Sequence, residues 1–126
     1  MFLGRLGGWR VLVAEDSFLI ASDLSERLRI AGAEVVGPFA KLEAAQRSLD
    51  GLGPGRIAAV LDVQLRDGLI YPLADRLRAM GAPLVFATGY DRGDLAPPYD
   101  GYPYCRKPAA AEDVLAALVA AVALLG

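Results

Sequence analysis

The residues of this sequence that could do chemistry stand at or just after the ends of apolar stretches. Glu15–Asp16 follow RVLVA, and Asp62 follows IAAVL. Thr88 ends PLVFAT, and Lys107 follows YPYCR. If these stretches are parallel strands of one sheet, the residues meet at one edge, because ligands of such sheets bind outside the carboxyl ends of the strands. That edge would carry three carboxylates, a hydroxyl and an ammonium group.

Three neighbouring carboxylates require a cation. Two carboxylates ~4 Å apart repel by roughly 4 kcal/mol at an effective dielectric constant of about 20. Lys107 and one divalent ion would neutralise the acids, and replacing Asp16 or Asp62 with Asn is expected to stabilise the metal-free fold. The sequence has no histidine and a single cysteine, Cys105. Oxygen ligands alone favour Mg²⁺ (or Mn²⁺), which with Lys107 and Thr88 can offset charge on a transferred phosphoryl group.

Five apolar stretches predict the strands that position these residues: 11–14, 33–37, 57–62, 83–88 and 102–105. Between them, apolar residues recur at helical spacing. The helical stripes are Ile20, Leu24, Leu28 and Ala31; Leu42, Ala45 and Leu49; Leu73, Leu77 and Met80; and Val114, Leu118, Val122 and Leu125. This pattern predicts an α/β fold with a doubly wound, five-stranded parallel sheet. Gly93 and Pro97–Pro98 leave the helix after the fourth strand short or irregular.

Length, charge and hydropathy limit the classes of protein. A chain of 126 residues fits one domain, which we place at residues 10–126 after an N-terminal tail at residues 1–9. The net charge of −2 gives no reason to expect nucleic-acid binding. The longest uncharged apolar run, from Val114 to Leu125, is shorter than the ~20 residues that cross a bilayer. A single cysteine and the lack of a signal-peptide pattern favour a cytoplasmic protein.

The motifs AED, VLD, FATGY and RKP follow one another at the predicted strand ends. In this order they resemble the receiver domain of two-component response regulators, over nearly the whole chain from Arg10 to Leu125. PLVFATGY further resembles a branch of stand-alone receivers that carry a FATGY-like motif. The resemblance implies a flavodoxin-like receiver fold with strand order 2-1-3-4-5. It also implies a signalling domain that catalyses only its own phosphorylation and dephosphorylation, and not an enzyme in the usual sense.

The same resemblance implies an acceptor and a set of metal ligands. Asp62 would accept a phosphoryl group from the phosphohistidine of a sensor histidine kinase or a phosphotransfer protein. Asp16 and Asp62 would ligate Mg²⁺ together with the backbone carbonyl of Gln64. Glu15 would act on the ion largely through water.

It also implies residues that bind the phosphoryl group and report its presence. Thr88 would donate a hydrogen bond to the phosphoryl group, and Lys107 would pair with it. Thr88 would form the switch with Tyr104, which occupies the aromatic position of the family, and Tyr90 is the alternative aromatic. Phosphorylation would draw Thr88 toward the phosphoryl group and bias the loop from Gly89 to Gly101.

Two features depart from the family pattern. Arg66 stands where many receivers have proline after the acceptor, so the rigidity of that loop is not implied. The proline-rich segment after Tyr90 replaces the usual fourth helix, so the usual output face is expected to be altered.

Three interpretations of the function remain open. In the first, a single-domain receiver signals through an unknown partner protein or acts as a phosphoryl sink, because no effector domain is expected after Gly126. In the second, an unphosphorylated pseudo-receiver is a protein-binding or dimerisation module, and the apolar last helix leaves a homodimer open. The third is a phosphatase-like hydrolase, which would need a second aspartate two residues after Asp62 as general acid, where the chain has Gln64.

Overall fold

A five-stranded parallel sheet forms the centre of the protein, in a computed structural model that describes residues 2–125. Its strands are β1 (Trp9–Ala14), β2 (Glu34–Phe39), β3 (Arg56–Leu61), β6 (Leu84–Thr88) and β7 (Tyr104–Arg106). A separate antiparallel pair consists of β4 (Gln64–Leu65) and β5 (Gly68–Leu69). The helices are α1 (Phe18–Ile30), α2 (Leu42–Asp50), α3 (Tyr71–Ala79) and α4 (Ala111–Ala123). No helix within residues 2–125 is long and apolar enough to cross a membrane.

The order of the strands across the sheet is β2-β1-β3-β6-β7, and every neighbouring pair is parallel. Counted along the chain within this sheet, the order is 2-1-3-4-5, which confirms the predicted topology. Alternate side chains of a strand point to opposite faces. Leu12 therefore packs in the core beneath α2 and α3, whereas Val11 and Val13 pack in the core beneath α1 and α4. The sheet is covered on both faces, as its uninterrupted apolar strands predict.

The first residues of the chain contribute to this core. β1 begins at Trp9, and the side chain of Leu6 is fully buried while its amide donates to the carbonyl of Ala31 at 2.9 Å. Leu6 and Trp9 of the predicted tail at residues 1–9 therefore belong to the folded core, although Gly7 and Gly8 separate Leu6 from the apolar strand in the sequence. Met1 and Gly126, the ends of the predicted ranges, lie outside the described residues.

The helical stripes hold except at three residues, of which Leu125 is exposed and lies beyond the end of α4. Leu24 and Leu28 of α1 are buried as predicted, but Ile20 is exposed and Ala21 takes the inward position. The first turn of α1 lies close to the carboxyl edge of the sheet, where a small side chain fits against the strands. Met80, at the end of the α3 stripe, is also exposed.

The segment after β6 lacks an α-helix, as its glycine and prolines predict. It contains two single-turn 3-10 helices, Arg92–Asp94 and Tyr99–Gly101. Residues 89–94 are exposed, whereas Leu95 and Tyr99 are almost fully buried. The Tyr99 hydroxyl donates to Asp75 of α3 at 2.5 Å, and burial together with this bond raises the pKa of Tyr99. Residues 95–102 are therefore anchored on α3, and only residues 89–94, which we call the switch loop, lack such anchors.

The hairpin of β4 and β5 follows Asp62 directly, and the sequence indicates only its turn. Asp67 of this turn accepts hydrogen bonds from the amides of Leu42 at 2.5 Å and Glu43 at 3.0 Å. Lys41, at the N-cap position of α2, provides no side-chain cap of its own. Asp67 therefore caps α2 from a distant segment and ties the hairpin to that helix, which gives the loop after Asp62 a support that does not depend on proline at position 66.

We expect Asp67→Ala to destabilise the protein at neutral pH. The amides of Glu43 and Leu42 lower the pKa of Asp67 in the folded state. A lowered folded-state pKa contributes stability that is present above the ordinary pKa of aspartate and is lost as pH falls through the lowered value. Urea unfolding between neutral and acidic pH should show a lower midpoint for the variant and a weaker loss of stability in acid. Glu26→Ala, at an exposed position in α1, is the control, and equal midpoints for both variants would contradict the capping role.

Candidate functional site

Four strand ends place the predicted site residues at one edge of the sheet. Glu15 and Asp16 follow β1, Asp62 follows β3, Thr88 ends β6 and Lys107 follows β7. One carboxylate oxygen from each of the three acids lies within 4.8 Å of the other two. The amide of Asp62 continues the sheet by donating to the carbonyl of Ala14 at 2.9 Å. The three acids, far apart in the sequence, therefore form one cluster.

Lys107 binds two of these acids. Its Nζ donates to Oδ2 of Asp62 at 2.7 Å and to Oε1 of Glu15. The side chains are 20% exposed for Lys107, 10% for Asp62 and 5% for Glu15, so these pairs are only weakly screened by water. A further bond joins the backbones at this end of the sheet, from the amide of Lys107 to the carbonyl of Thr88 at 2.8 Å.

Burial and hydrogen bonding have opposite effects on the pKa values of Glu15 and Lys107. Burial raises the pKa of Glu15, although hydrogen bonds from Lys107 and from the amide of Ser17 offset part of that effect. For Lys107, burial acts to lower the pKa, but the bonds to Asp62 and Glu15 outweigh it and raise the pKa above its ordinary value. Lys107 therefore stays an ammonium ion at neutral pH, and its charge serves both acids.

Ser17 supports the site and was not among the residues predicted from the sequence. Its amide donates to Oε2 of Glu15 at 2.9 Å, so both oxygens of Glu15 have partners. Its hydroxyl accepts from the amide of Ile20 at 3.4 Å as the N-cap of α1. A serine directly before an apolar helical stripe is a preferred N-cap, which is the signal that could have identified it. Because Ser17 caps the helix, Asp16 is left for another role.

Asp16 is the acid of this cluster that Lys107 does not pair with. Within residues 2–125, no lysine or arginine nitrogen lies within 4.0 Å of its carboxylate. The three acids and one lysine leave a formal excess of negative charge, and their ligand atoms are all hard oxygens. This donor set fits Mg²⁺ or Mn²⁺.

Asp16→Asn is expected to stabilise the metal-free protein by about 1 kcal/mol, because it removes a charge repelled by Glu15 and Asp62. The same expectation for Asp62→Asn stays a prediction, with a smaller gain, because Asp62 shares the charge of Lys107 with Glu15. Chemical denaturation without divalent ions measures the gain, and Asp94→Asn in the exposed switch loop serves as control. Added Mg²⁺ should stabilise the wild type more than Asp16→Asn. A variant weaker than wild type without metal would contradict the proposed repulsion.

Thr88 connects the acidic cluster to both candidate switch tyrosines. Its side chain is fully buried, and its Oγ1 accepts from the amide of Tyr90 at 3.4 Å. The hydroxyl of Tyr104 donates to the carbonyl of Tyr90. Tyr90 and Tyr104, the two alternative switch aromatics, are thus joined in one hydrogen-bonded chain that begins at Thr88.

Gln64 lies two residues after Asp62, at the start of β4. Its side-chain amide donates to the carbonyl of Leu65 at 2.8 Å, which holds the side chain along the hairpin. Its backbone carbonyl stays a predicted metal ligand.

A cleft between α1 and α4 opens beside the acids. It has a volume of about 300 Å³ and is lined mainly by apolar side chains, including Leu19, Ile20 and Val114, with Asp62 and Lys107 at one end. The first turn of α1 adds Phe18 and Leu19, which are 78% and 79% exposed. An apolar surface therefore adjoins the carboxylate of Asp62.

Comparisons with known proteins agree with this geometry. No family model matches the sequence. The transcriptional regulatory protein PdtaR of Mycobacterium tuberculosis is 32% identical over 116 residues, which are 90% of this chain and 56% of that protein. The chain thus spans about half the length of the curated relatives it matches.

Solved structures give fuller coverage. The BeF3-activated conformation of SdrG from Pseudomonas melonis Fr1 is 34% identical, with a TM-score of 0.67 over 87% of this chain and 95% of that one. The receiver domain of the response regulator PhyR from Erythrobacter litoralis is 28% identical, with a TM-score of 0.76 over 94% and 93% of the two chains. In both comparisons the similar region covers most of each chain.

Proposed function

Because the chain belongs to the receiver-domain family of two-component response regulators, we propose that it accepts a phosphoryl group on Asp62 in a Mg²⁺-dependent reaction. Members of this family are signalling domains rather than classical enzymes. The observation that carries the proposal is the bond between Lys107 and Asp62 inside the cluster of three acids. Asp62 lies beside a fixed cation and an oxygen-ligand site, and phosphoryl transfer depends on such positioning and charge stabilisation.

In the proposed reaction, an oxygen of Asp62 attacks the phosphorus of a phosphohistidine, and the bond from phosphorus to the imidazole nitrogen breaks. Oδ2 of Asp62 is bonded to Lys107, which orients the carboxylate and leaves Oδ1 for attack. Asp16, Asp62 and the Gln64 carbonyl would hold the ion, with Glu15 acting through water. When bound, the ion would offset negative charge on the phosphoryl oxygens.

After transfer, Lys107 and Thr88 would bind the phosphoryl oxygens. Lys107 can exchange one carboxylate partner for a phosphoryl oxygen with little movement. The Thr88 hydroxyl accepts from Tyr90 and still has its own proton to donate. Turning that hydroxyl toward Asp62 would release the amide of Tyr90, so the switch loop and Tyr104 would respond to phosphorylation.

The phosphodonor would be a sensor histidine kinase or a phosphotransfer protein. The exposed residues Phe18 and Leu19 and the adjoining cleft support docking of an apolar partner surface next to Asp62. The receiver would then act on an unknown downstream protein or serve as a phosphoryl sink. A cytoplasmic location and the lack of nucleic-acid and membrane partners are part of this proposal, and a homodimer is left to measurement.

Beryllofluoride, which mimics a phosphoryl group on aspartate, tests the proposal directly. Amide spectra of the wild type recorded with Mg²⁺ should change at Asp62, Thr88 and the switch loop when beryllofluoride is added. The same addition without Mg²⁺ should change little. Spectra unaffected in both conditions would support a constitutive binding module and overturn the proposed phosphorylation. Steady hydrolysis of added phosphoesters would instead favour the hydrolase.

A further inference from the structure

The edge strand β2 carries one extra residue relative to β1 close to the acidic cluster. Leu12 of β1 is the register partner of Val36. Two residues later, Ala14 is the partner of Phe39, which lies three residues after Val36. This is a β-bulge, a feature common at sheet edges and beside active sites because it changes where the following residues point. Beyond the bulge the pairing continues, since the amide of Glu15 donates to the carbonyl of Phe39 at 2.9 Å.

Gly37 makes this bulge possible. Its φ is +104°, in the left-handed region that residues with a side chain rarely adopt. An added Cβ would also lie 3.0 Å from the amide nitrogen of Phe39 and 3.0 Å from the carbonyl oxygen of Val13. These are backbone atoms of the two paired strands, so a side chain at position 37 would force the strands apart. The place of the Phe39 carbonyl that accepts from Glu15 therefore depends on a glycine.

The residues after the bulge also hold the hairpin of β4 and β5. The carbonyl of Ala40 accepts from the amide of Arg66 at 3.1 Å. Asp67, in the turn of the hairpin, accepts from the first two amides of α2. Residues 39–43, which we call the bridge, are therefore bonded to Glu15 at one end and to the hairpin at the other.

The two segments that the bridge joins both carry predicted groups of the metal site. Glu15 and Asp16 are adjacent, so the bond to the bridge fixes the backbone from which both acids project. Gln64, whose backbone carbonyl is a predicted ligand, is the first residue of β4. Asp62 depends less on the bridge, because its own amide is bonded to β1. The bridge therefore connects groups of the metal site that the main sheet does not connect directly.

We infer that the bulge at Gly37 and the bridge set the spacing between the Glu15–Asp16 pair and the Gln64 carbonyl, and thereby the affinity for Mg²⁺. The inference rests on the proposed function, in which these groups hold the ion. Gly37 and Asp67 are then positioning residues, one at each end of the bridge. Groups that orient metal ligands without touching the ion typically contribute about 10- to 100-fold to metal affinity.

Titration with Mg²⁺, followed in amide spectra, tests the bridge at both ends. Gly37→Ala should bind Mg²⁺ roughly tenfold more weakly than wild type, and without metal its Glu15 amide should exchange hydrogen faster. Asp67→Ala should weaken Mg²⁺ binding by a smaller factor, because the bond between Ala40 and Arg66 remains. Asp67→Asn has the same charge as Asp67→Ala but keeps an acceptor for the amides of α2, so it should bind Mg²⁺ more tightly than Asp67→Ala.

Gly32→Ala is the matched control. Gly32 precedes β2 at the other end of the strand, with a φ of +101° and the nitrogen of Gly7 3.1 Å from an added Cβ. This variant should also lose stability but keep the affinity for Mg²⁺. If wild type does not bind Mg²⁺, the proposed function fails and the inference with it. If wild type binds, the inference is wrong when Gly37→Ala binds as tightly as wild type, when Gly32→Ala loses as much affinity, or when the two Asp67 variants bind equally. If Gly37→Ala does not fold, the two Asp67 variants decide alone.

Discussion

Asp62→Asn is expected to take up no phosphoryl group from acetyl phosphate and Mg²⁺ under conditions that modify the wild type. An amide has no anionic oxygen to attack phosphorus, so the rate should fall by at least ~10³-fold, as for loss of other nucleophiles. Asn has nearly the shape of Asp, and its carbonyl oxygen can still accept from Lys107. Intact-protein mass spectrometry measures the addition.

This result distinguishes Asp62 from the two neighbouring acids, Glu15 and Asp16, as the phosphoryl acceptor. Both oxygens of Glu15 already accept hydrogen bonds, from Lys107 and from Ser17. Asp16 lies in the cluster, but the carboxylates that Lys107 binds are those of Glu15 and Asp62. Neither should replace Asp62 as the nucleophile. Asp100→Asn, an exposed acid outside the cluster, should be modified as fast as wild type. Phosphoryl addition to Asp62→Asn would show that another residue is the acceptor.

Lys107→Ala should lower the stability of the metal-free protein at neutral pH by about 3 kcal/mol. The variant leaves Glu15 and Asp62 buried without their shared cation, and removing one partner of a buried pair typically costs this much or more. The partial exposure of Lys107 places the effect at the lower end of that range. Urea unfolding in the presence of a chelator measures it.

The pH dependence of this variant has a definite sign. Burial raises the pKa of Glu15 in the folded protein. A raised folded-state pKa favours the protonated carboxyl, so its contribution to stability is present at low pH and is lost as pH rises through that pKa. Without Lys107 the pKa of Glu15 is raised further, so Lys107→Ala should regain stability when the pH is lowered from neutral into the acid range, and Mg²⁺ should also restore part of the loss.

Arg76→Ala is the control for this experiment. It removes an exposed ion pair with Asp50 at 2.7 Å and two exposed hydrogen bonds to Gln46, and a loss of about 1 kcal/mol is expected. A Lys107→Ala variant no less stable than Arg76→Ala would mean that Lys107 does not balance the buried acids.

The convergence of Glu15, Asp62 and Lys107 could be predicted because each follows an apolar run, and parallel strands bring such positions to one edge. The lack of a regular helix after β6 was equally predictable, since proline and glycine act locally. Contacts between distant segments were not. No local sequence signal indicates that Asp67 caps α2, the helix that begins after Lys41. The burial of Leu6 likewise depends on its contact with Ala31 at the end of α1, which the spacing of residues along the chain does not predict.

The anchoring of Leu95 and Tyr99 limits the size of the surface that can report phosphorylation. A regular helix after β6 could move as a unit and present a broad altered face. Here a displacement that starts at Thr88 should stop at Leu95, because the next residues are bonded to α3 through Tyr99 and Asp75. A partner protein that distinguishes the phosphorylated from the unphosphorylated form would have to contact residues 89–94 directly.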